Sequence, residues 1–172
     1  MFILVFGGSA SGKSGFAEKL CMEFGDKYMY YLAAMEPFGA EAAMHIERHR
    51  RMRDKKGFET IERYHDLEKI KLPHRGTVLL ECVSNLLANE MFSGRVNKEK
   101  LCEKIICGVE KLIDSSNNMV VVTNDVFCDG IIYGNETMEY MRILGDINYR
   151  LTALADEAVE VILSQPVYYK KR

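Results

Sequence analysis

Several features that mark membrane, secreted or zinc-binding proteins are missing from this sequence. No apolar run approaches the ~18 residues that span a bilayer. The opening run Met1–Phe6 has no basic segment before it and no small-residue cleavage site after it, so it is predicted to be a strand and not a signal peptide. The five cysteines include no C-x-x-C pair, which disfavours a zinc ribbon, and their odd number disfavours a disulfide framework. We therefore expect a cytoplasmic protein with reduced thiols and no membrane span.

A strong charge of either sign is also lacking. The chain has 23 Lys and Arg against 25 Asp and Glu, a formal net charge of −2. This balance argues against a protein that coats nucleic acid or is held on an anionic membrane by bulk charge. Internal repeats, low-complexity tracts and Pro/Ser-rich linkers are absent as well. The length of 172 residues suits one domain, so we expect a single domain over residues 1–172 and no nucleic-acid partner.

What the sequence does contain is an alternation of short apolar runs and longer segments with helical spacing. Strands are predicted at Phe2–Phe6, Tyr28–Ala33, Thr77–Leu80, Met119–Thr123 and Ala158–Ser164. Helices are predicted at Lys13–Phe24, Ala40–Arg53, Val83–Met91, Lys98–Asp114 and Thr137–Ala155. This order implies parallel strands joined by crossover helices. The pattern predicts a three-layer α/β fold with a mostly parallel central sheet.

The first strand leads directly into a phosphate-binding motif. Between a predicted strand and a predicted helix, the pattern G-x-x-x-x-G-K-S/T is matched by Gly7, Gly8, Ser9, Ala10, Ser11, Gly12, Lys13 and Ser14. Such a loop lets successive backbone N–H groups and the helix N-terminus converge on phosphates. We expect Lys13 to reach the β- and γ-phosphates and the Ser14 hydroxyl to bind Mg²⁺. The motif predicts a P-loop nucleoside-triphosphatase fold.

A carboxylate at the end of another strand is expected to complete the metal site. Glu81, which follows the predicted strand Thr77–Leu80, is the first candidate, and Asp125 at the end of a later strand is the second. Glu81 has an alternative role as a cap for the helix that begins at Val83, and this role needs no metal. The sequence leaves these alternatives open.

A basic helical segment follows the second predicted strand. It contains His45 and His49 together with six cations, at Arg48, Arg50, Arg51, Arg53, Lys55 and Lys56. A solvated helix face explains the cations, and a hydrogen-bonding role explains His49. The histidines share one helical face as a zinc pair does, but no third ligand follows and the nearby cations oppose a divalent ion. The functional interpretation is a histidine nucleophile that attacks a nucleotide phosphorus while the arginines neutralise the phosphoryl oxygens.

Taken together, these motifs resemble the bifunctional adenosylcobinamide kinase/adenosylcobinamide-phosphate guanylyltransferase family of cobalamin biosynthesis. The resemblance covers nearly the whole chain. It is carried by Ile3–Ser14, Tyr31–Ala34, Ile46–Arg50, Phe58–Glu62, Leu79–Cys82, Asn89, Val122–Val126, Gly130–Ile132, Asn135, Gly145, Asn148 and Ala155–Glu157. The phosphate loop alone is generic, but the ordered set is specific.

The resemblance implies a function and a site. Family members phosphorylate adenosylcobinamide with ATP or GTP and then transfer GMP from GTP, through a guanylylated histidine, to give adenosylcobinamide-GDP. His49 matches that histidine, so His49 and Lys13 are the expected catalytic residues. Beyond the phosphate loop, the implied nucleotide site contains Ala33, Ala34, Met35, Arg50, Arg51, Met52, Arg53, Glu62 and Glu81. Mg²⁺ is expected at Ser14 and Glu81, and the resemblance implies a homotrimer.

Two alternatives remain at this stage. One is a P-loop small-molecule kinase without guanylyl transfer, in which His49 is only structural. The other is a nucleotide-binding regulatory protein that has lost turnover. Departures from the family pattern, such as Asn124–Asp125 in place of Asn-Glu, bear on the corrinoid side more than on the phosphate side.

Overall fold

A seven-stranded sheet forms the centre of the computed structural model, which describes residues 1–37, 39–127, 130–131 and 133–171. Cys128 and Ile132, both considered above, lie outside these ranges, and the side chains of residues 40–43, 45 and 52 are not described either. The strands are β1 (Phe2–Phe6), β2 (Met29–Ala33), β3 (Phe58–Glu62), β4 (Thr77–Leu80), β5 (Asn118–Val122), β6 (Glu157–Ile162) and β7 (Gln165–Lys170). Their spatial order is β3-β2-β4-β5-β1-β6-β7, and every neighbouring pair is parallel except β6 and β7. The prediction of a mostly parallel sheet is confirmed.

Helices cover both faces of this sheet. They are α1 (Lys13–Glu23), α2 (Gly39–Arg53), α3 (Val83–Phe92), α4 (Leu101–Ser115) and α5 (Asn135–Leu154). Helices α3, α4 and α5 form a core with Leu4, Leu32 and Leu80 on one face. Helix α1 packs on the other face through Ala17 and Cys21. The predicted three-layer α/β fold is therefore confirmed, and none of the described helices is long and apolar enough to cross a membrane.

Strands β3 and β7, at the two edges of the sheet, are additions to the sequence-based prediction. In β3 the apolar Phe58 and Ile61 are half-buried while Glu59 and Thr60 between them are exposed, and all six residues of β7 are exposed. Pro166 in β7 suits an edge position, where a missing backbone donor does no harm. Apolar runs identify strands that are buried on both faces, so they miss strands that leave most side chains in water.

A two-residue turn joins β6 to β7. Leu163 and Ser164 both have positive φ, 49° and 65°, as a type I′ turn requires. The predicted strand Ala158–Ser164 therefore ends two residues too late. The Ser164 N–H donates to the Ser11 carbonyl at 2.8 Å, so this turn lies directly against the phosphate loop.

An ion-pair network joins the segment between β3 and β4 to the helical layer. Lys104 Nζ on α4 donates to Asp66 Oδ1 at 2.6 Å and to Glu90 Oε2 at 2.8 Å. The Asp66 N–H donates to Glu90 Oε1 at 2.8 Å, and Glu90 on α3 is only 1% exposed. Hydrogen bonds from Lys104 and Lys69 hold the pKa of Asp66 well below its usual range. Lys104 is thus the cation that compensates a buried carboxylate.

We predict that Lys104→Met lowers the free energy of unfolding by about 3 kcal/mol at neutral pH, because it leaves the buried Glu90 without its cation. Urea denaturation measures the loss. Lys111→Met, at an exposed position of the same helix, is the control and should cost less than about 0.5 kcal/mol. Since the Asp66 pKa is lowered by folding, the Asp66 contribution is present above its unfolded pKa of about 3.9 and fades as the pH falls below it. Equal stabilities of the two variants at neutral pH would contradict this account.

Candidate active site

The phosphate loop lies between β1 and α1 at the carboxyl edge of the sheet. Gly12, with a φ of 93°, immediately precedes α1, whose first residue is Lys13. The Lys13 side chain folds back over the loop, and its Nζ donates to the Gly8 carbonyl at 2.8 Å. Burial lowers the pKa of Lys13 below its usual value. The ammonium group therefore stands where phosphate oxygens on the loop would meet it.

Two loop glycines are required by their surroundings. A Cβ on Gly7 would lie 2.6 Å from the Val161 carbonyl oxygen, and a Cβ on Gly12 would lie 2.5 Å from Ser164 Oγ. A Cβ on Gly8, in contrast, would meet nothing within 4 Å. The end of β6 and the turn that follows it therefore leave no room for side chains at the first and last glycines of the loop.

The ends of β4 and β5 bring further polar residues to the same edge. The Asp125 N–H donates to the Gly7 carbonyl at 3.1 Å, which ties the segment after β5 to the loop. Next to it, the Asn124 N–H donates to Ser84 Oγ at 3.3 Å. These segments surround a cavity of about 570 Å³, within the usual range for a small-molecule site. The described residues that line it are Ser9 to Gly15, Met35, Arg48, His49, Glu81, Cys82, Asn85, Val122 and Asn124 to Val126.

His49 enters this cavity from α2 and faces Glu81. The Nδ1 atom of His49 lies 3.5 Å from Glu81 Oε1, and the two side chains are 14% and 10% exposed. The N-cap residue of α3 is Cys82, and no side-chain hydrogen bond caps this helix. The capping alternative for Glu81 is therefore wrong. A carboxylate beside Nδ1 favours the tautomer with its proton on Nδ1, which leaves the lone pair on Nε2.

The C-terminal end of α2 is anchored next to the cavity. Arg53 is 7% exposed, and its guanidinium carbon lies 3.4 Å from the centroid of the Tyr31 ring. Just beyond α2, Lys56 pairs with Glu18 of α1, a side chain that is 1% exposed. Burial and the nearby Glu81 carboxylate raise the pKa of the Tyr31 phenol. Arg53 and Lys56 thus hold the helix that carries the histidine.

A narrower pocket lies between α2 and the ends of β2 and β3. Arg50 pairs with Glu62, and the Tyr64 hydroxyl donates to Glu62 Oε2 at 3.0 Å. His49 and Glu81 line both this pocket and the larger cavity, so the two spaces adjoin at the histidine. The described residues that line the pocket are Ala33, Met35, Ile46, His49, Arg50, Arg53, Thr60, Glu62, Tyr64 and Glu81.

Not every residue predicted for the nucleotide site reaches these two spaces. Arg51 is 79% exposed and pairs with Glu47 at 2.9 Å, as the solvated-face interpretation expects. Ala34 is fully buried in the core, where its carbonyl accepts a hydrogen bond from Asn89 Nδ2 at 2.7 Å. The side chain of Met52 lies outside the described part of the chain. The remaining predicted residues line the cavity, the pocket or the turn of the loop.

The structure also adds residues that the site prediction did not include. Arg48 and Asn85 line the larger cavity, and Tyr64 lines the pocket. Asn85 follows Glu81 by four residues on the way into α3, so helical spacing from the acid was a usable signal. Tyr64 follows a strand that apolar periodicity does not reveal. Among the described residues, no group of three His, Cys, Asp or Glu could hold a metal ion, so the zinc-pair interpretation of the histidines finds no support.

Comparison with known proteins assigns the family. A family model described as cobinamide kinase / cobinamide phosphate guanyltransferase matches residues 3–168. The chain belongs to this family. It is 32% identical over 178 residues to the bifunctional adenosylcobalamin biosynthesis protein CobU of Escherichia coli (strain K12), with 94% of this chain and 96% of the relative covered. The protein of the same name from Salmonella typhimurium (strain LT2) is 31% identical over 180 residues with the same coverage.

Among solved structures, an ATPase domain aligns with 92% of this chain and 68% of its own, at a TM-score of 0.46 and 9% identity. The family assignment rests on the sequence matches. As a member of the cobinamide kinase / cobinamide phosphate guanyltransferase family, the chain is a bifunctional, nucleotide-using transferase of adenosylcobalamin biosynthesis. The resemblance stated from the sequence motifs is confirmed.

We predict that Gly12→Ala lowers the free energy of unfolding by about 2 kcal/mol or more, because the new Cβ would collide with Ser164 and would sit at a left-handed φ. Chemical denaturation of the nucleotide-free protein measures the effect. Gly8→Ala is the matched control in the same loop, and it should lie within about 0.5 kcal/mol of the wild type. A larger loss in the Gly8 variant than in the Gly12 variant would show that the packing assigned to the loop is wrong.

Proposed function

We propose that this enzyme phosphorylates adenosylcobinamide with ATP or GTP and then transfers GMP from GTP to adenosylcobinamide phosphate through a guanylylated His49, with adenosylcobinamide-GDP and pyrophosphate as products. The observation that carries the proposal is that His49 and the phosphate loop line one cavity. Guanylyl transfer through the enzyme requires a nucleophile beside the triphosphate, whereas a simple kinase does not.

GTP is expected to extend from the phosphate loop past His49 into the narrower pocket. The loop and Lys13 would hold the β- and γ-phosphates, which brings the α-phosphorus to the histidine. The pocket beyond it contains Glu62, whose carboxylate accepts hydrogen bonds only. The N1–H and the exocyclic amine of guanine are donors, so this carboxylate suits guanine better than adenine. Arg50, which pairs with Glu62, would keep its orientation fixed.

Glu81 directs the nucleophilic step through the orientation of His49. With the proton on Nδ1 facing the carboxylate, Nε2 carries the lone pair that attacks the α-phosphorus. The Nε2–phosphorus bond forms as the bond from phosphorus to the bridging oxygen breaks, and pyrophosphate leaves against the loop. Glu81 stabilises the positive charge that develops on the ring, and Lys13 and Arg48 are placed to neutralise the phosphate oxygens.

The second half of the transfer reverses this chemistry with a different nucleophile. A phosphate oxygen of adenosylcobinamide phosphate attacks the guanylyl phosphorus, and the Nε2–phosphorus bond breaks. The new phosphoanhydride gives adenosylcobinamide-GDP, and His49 recovers its lone pair. The same Glu81 contact then keeps the proton on Nδ1 for the next cycle.

The kinase step uses the same loop without the histidine. Lys13 stabilises the charge on the γ-phosphoryl group as it moves to the hydroxyl of adenosylcobinamide. Mg²⁺ bound to the nucleotide phosphates would supply further positive charge there. Ser14, Glu81 and Asp125 all line the cavity and are oxygen ligands of the kind Mg²⁺ prefers. Because Mg²⁺ usually keeps several waters and takes only one or two carboxylates, this set fits the ion.

Three further parts of the proposal rest on the family resemblance and composition. We propose that the enzyme acts in the cytoplasm, requires Mg²⁺ and assembles as a homotrimer. Sedimentation would establish the oligomeric state, and chelation with EDTA would abolish both reactions if Mg²⁺ is required.

We predict that His49→Ala abolishes formation of the covalent GMP adduct and of adenosylcobinamide-GDP, because no phosphoramidate can form without the imidazole. Phosphorylation of adenosylcobinamide should persist within about tenfold of the wild-type rate, an allowance of ~1.4 kcal/mol for disturbance of the shared cavity. Intact-mass measurement after incubation with GTP and Mg²⁺ detects the adduct, and a coupled assay follows the kinase reaction.

His45→Ala is the control, since it lies one turn earlier on the same helix and should keep the adduct. An adduct that survives in the His49 variant would refute the histidine mechanism. An adduct lost only in the His45 variant would assign the nucleophile to the wrong residue.

A further inference from the structure

A second cavity, of about 530 Å³, lies at the C-terminal end of α3. It shares no described residue with the phosphate cavity or with the pocket beside His49. Neither the sequence motifs nor the proposed nucleotide chemistry gives it a role. The side chains that define its character are Glu36, His65, Asn89, Phe92, Ser93 and Arg95.

One face of α3 runs from the phosphate cavity to this second cavity. Asn85 lines the first, while Ala88, Asn89 and Phe92 line the second. These four positions are spaced i, i+3, i+4 and i+7, so they lie on the same side of the helix. The distance from Asn85 to Phe92 along the helix axis is about 10 Å. The loop after β2 makes the same connection, since Met35 lines the phosphate cavity and the next residue lines the second one.

The second cavity combines an exposed aromatic ring with mixed polar groups. The Phe92 side chain is 64% exposed, as expected of an aromatic residue that stacks on a ligand. His65 Nε2 lies 3.0 Å from Glu36 Oε1, which places a donor and an acceptor side by side. Arg95 adds an exposed donor at the rim. This set can both donate and accept hydrogen bonds, as recognition of neutral amides requires.

The acceptor substrate has the chemistry that this cavity would recognise. Cobinamide is a large, flat corrin ring with amide groups around its edge and one flexible arm that ends in a hydroxyl. Only that hydroxyl has to reach the phosphates. A cavity of about 570 Å³ that already holds a nucleoside triphosphate has no room for the ring as well. The ring must therefore bind outside it, within reach of the arm.

We propose that the cavity at the end of α3 binds the corrin ring, with Phe92 against its face and Arg95 on its peripheral amides, while the aminopropanol arm follows the Asn85 face of α3 to the phosphate cavity. This assignment rests on the proposed function, because it supplies the acceptor for both reactions of that site. A second nucleotide is a poorer occupant. The Glu36 carboxylate would repel phosphates, and none of the described residues around the cavity forms a glycine-rich loop.

The test measures binding of adenosylcobinamide directly, by equilibrium dialysis with the nucleotide-free protein. Phe92→Ala and Arg95→Ala should each weaken binding by about tenfold, which corresponds to ~1.4 kcal/mol. Both should leave the covalent GMP adduct with GTP unchanged, because that half-reaction needs no corrinoid. Tyr149→Ala on α5 is the control: this side chain is 78% exposed and lines none of the three spaces, so its removal should leave binding unchanged.

Wild-type binding of adenosylcobinamide by the Phe92 and Arg95 variants would overturn the assignment. So would weaker binding in the Tyr149 variant than in these two, or tighter binding of GTP than of adenosylcobinamide at this cavity in the His49→Ala protein. Failure of the wild type to form a GMP adduct would count against the histidine mechanism alone, since dialysis reports corrinoid binding whether or not the adduct forms.

Discussion

The position of α2 is the constraint on which the site depends, and two cationic side chains fix it. Arg53 stacks on the buried Tyr31 ring, and Lys56 pairs with a carboxylate of α1 that is 1% exposed. Removing a cation from a buried carboxylate costs more than any surface ion pair can contribute. The helix is therefore held on the α1 side of the sheet, and this places His49 next to the strand ends.

The parallel sheet explains why residues far apart in sequence meet at that edge. Strands β1, β2, β4 and β5 all end on the same side, so the phosphate loop, Met35, Glu81 and Asp125 follow them into one region. Binding sites in open α/β sheets form outside the carboxyl ends of the strands for this reason. Glu81 has the central place because it contacts His49 and lines both neighbouring spaces. Its carboxylate can orient the nucleophile and stabilise the charge that the reaction creates on it.

Much of the fold was predictable from the sequence, and the exceptions have a common cause. The strand Phe2–Phe6 and the strand Thr77–Leu80 agree with the structure at both ends, because buried parallel strands appear as apolar runs. Edge strands β3 and β7 leave most of their side chains in water, so apolar periodicity misses them. The helix predicted from Lys98 begins at Leu101, after a short 3₁₀ turn. Boundaries of this kind depend on local capping, which apolar periodicity reveals least.

The site was predictable in its parts but not in its arrangement. The loop motif identified Lys13 and Ser14, and the resemblance identified His49, but nothing in the spacing showed that Nδ1 of His49 would face Glu81. The basic run looked uniform, whereas the structure gives its arginines different surroundings. Arg48 lines the phosphate cavity, Arg50 holds Glu62 and Arg51 faces solvent. Which helical face each arginine occupies follows from how α2 docks, and tertiary packing decides that.

The most direct test of this account identifies the histidine nitrogen that carries GMP. Protein labelled with ¹⁵N-histidine can be guanylylated with GTP, and the phosphorus–nitrogen coupling in the intact adduct identifies the bonded atom by NMR. Because Glu81 faces Nδ1 at 3.5 Å, the account predicts attachment at Nε2 of His49. Attachment at Nδ1 would contradict it, since the atom that Glu81 is proposed to keep protonated would then be the nucleophile.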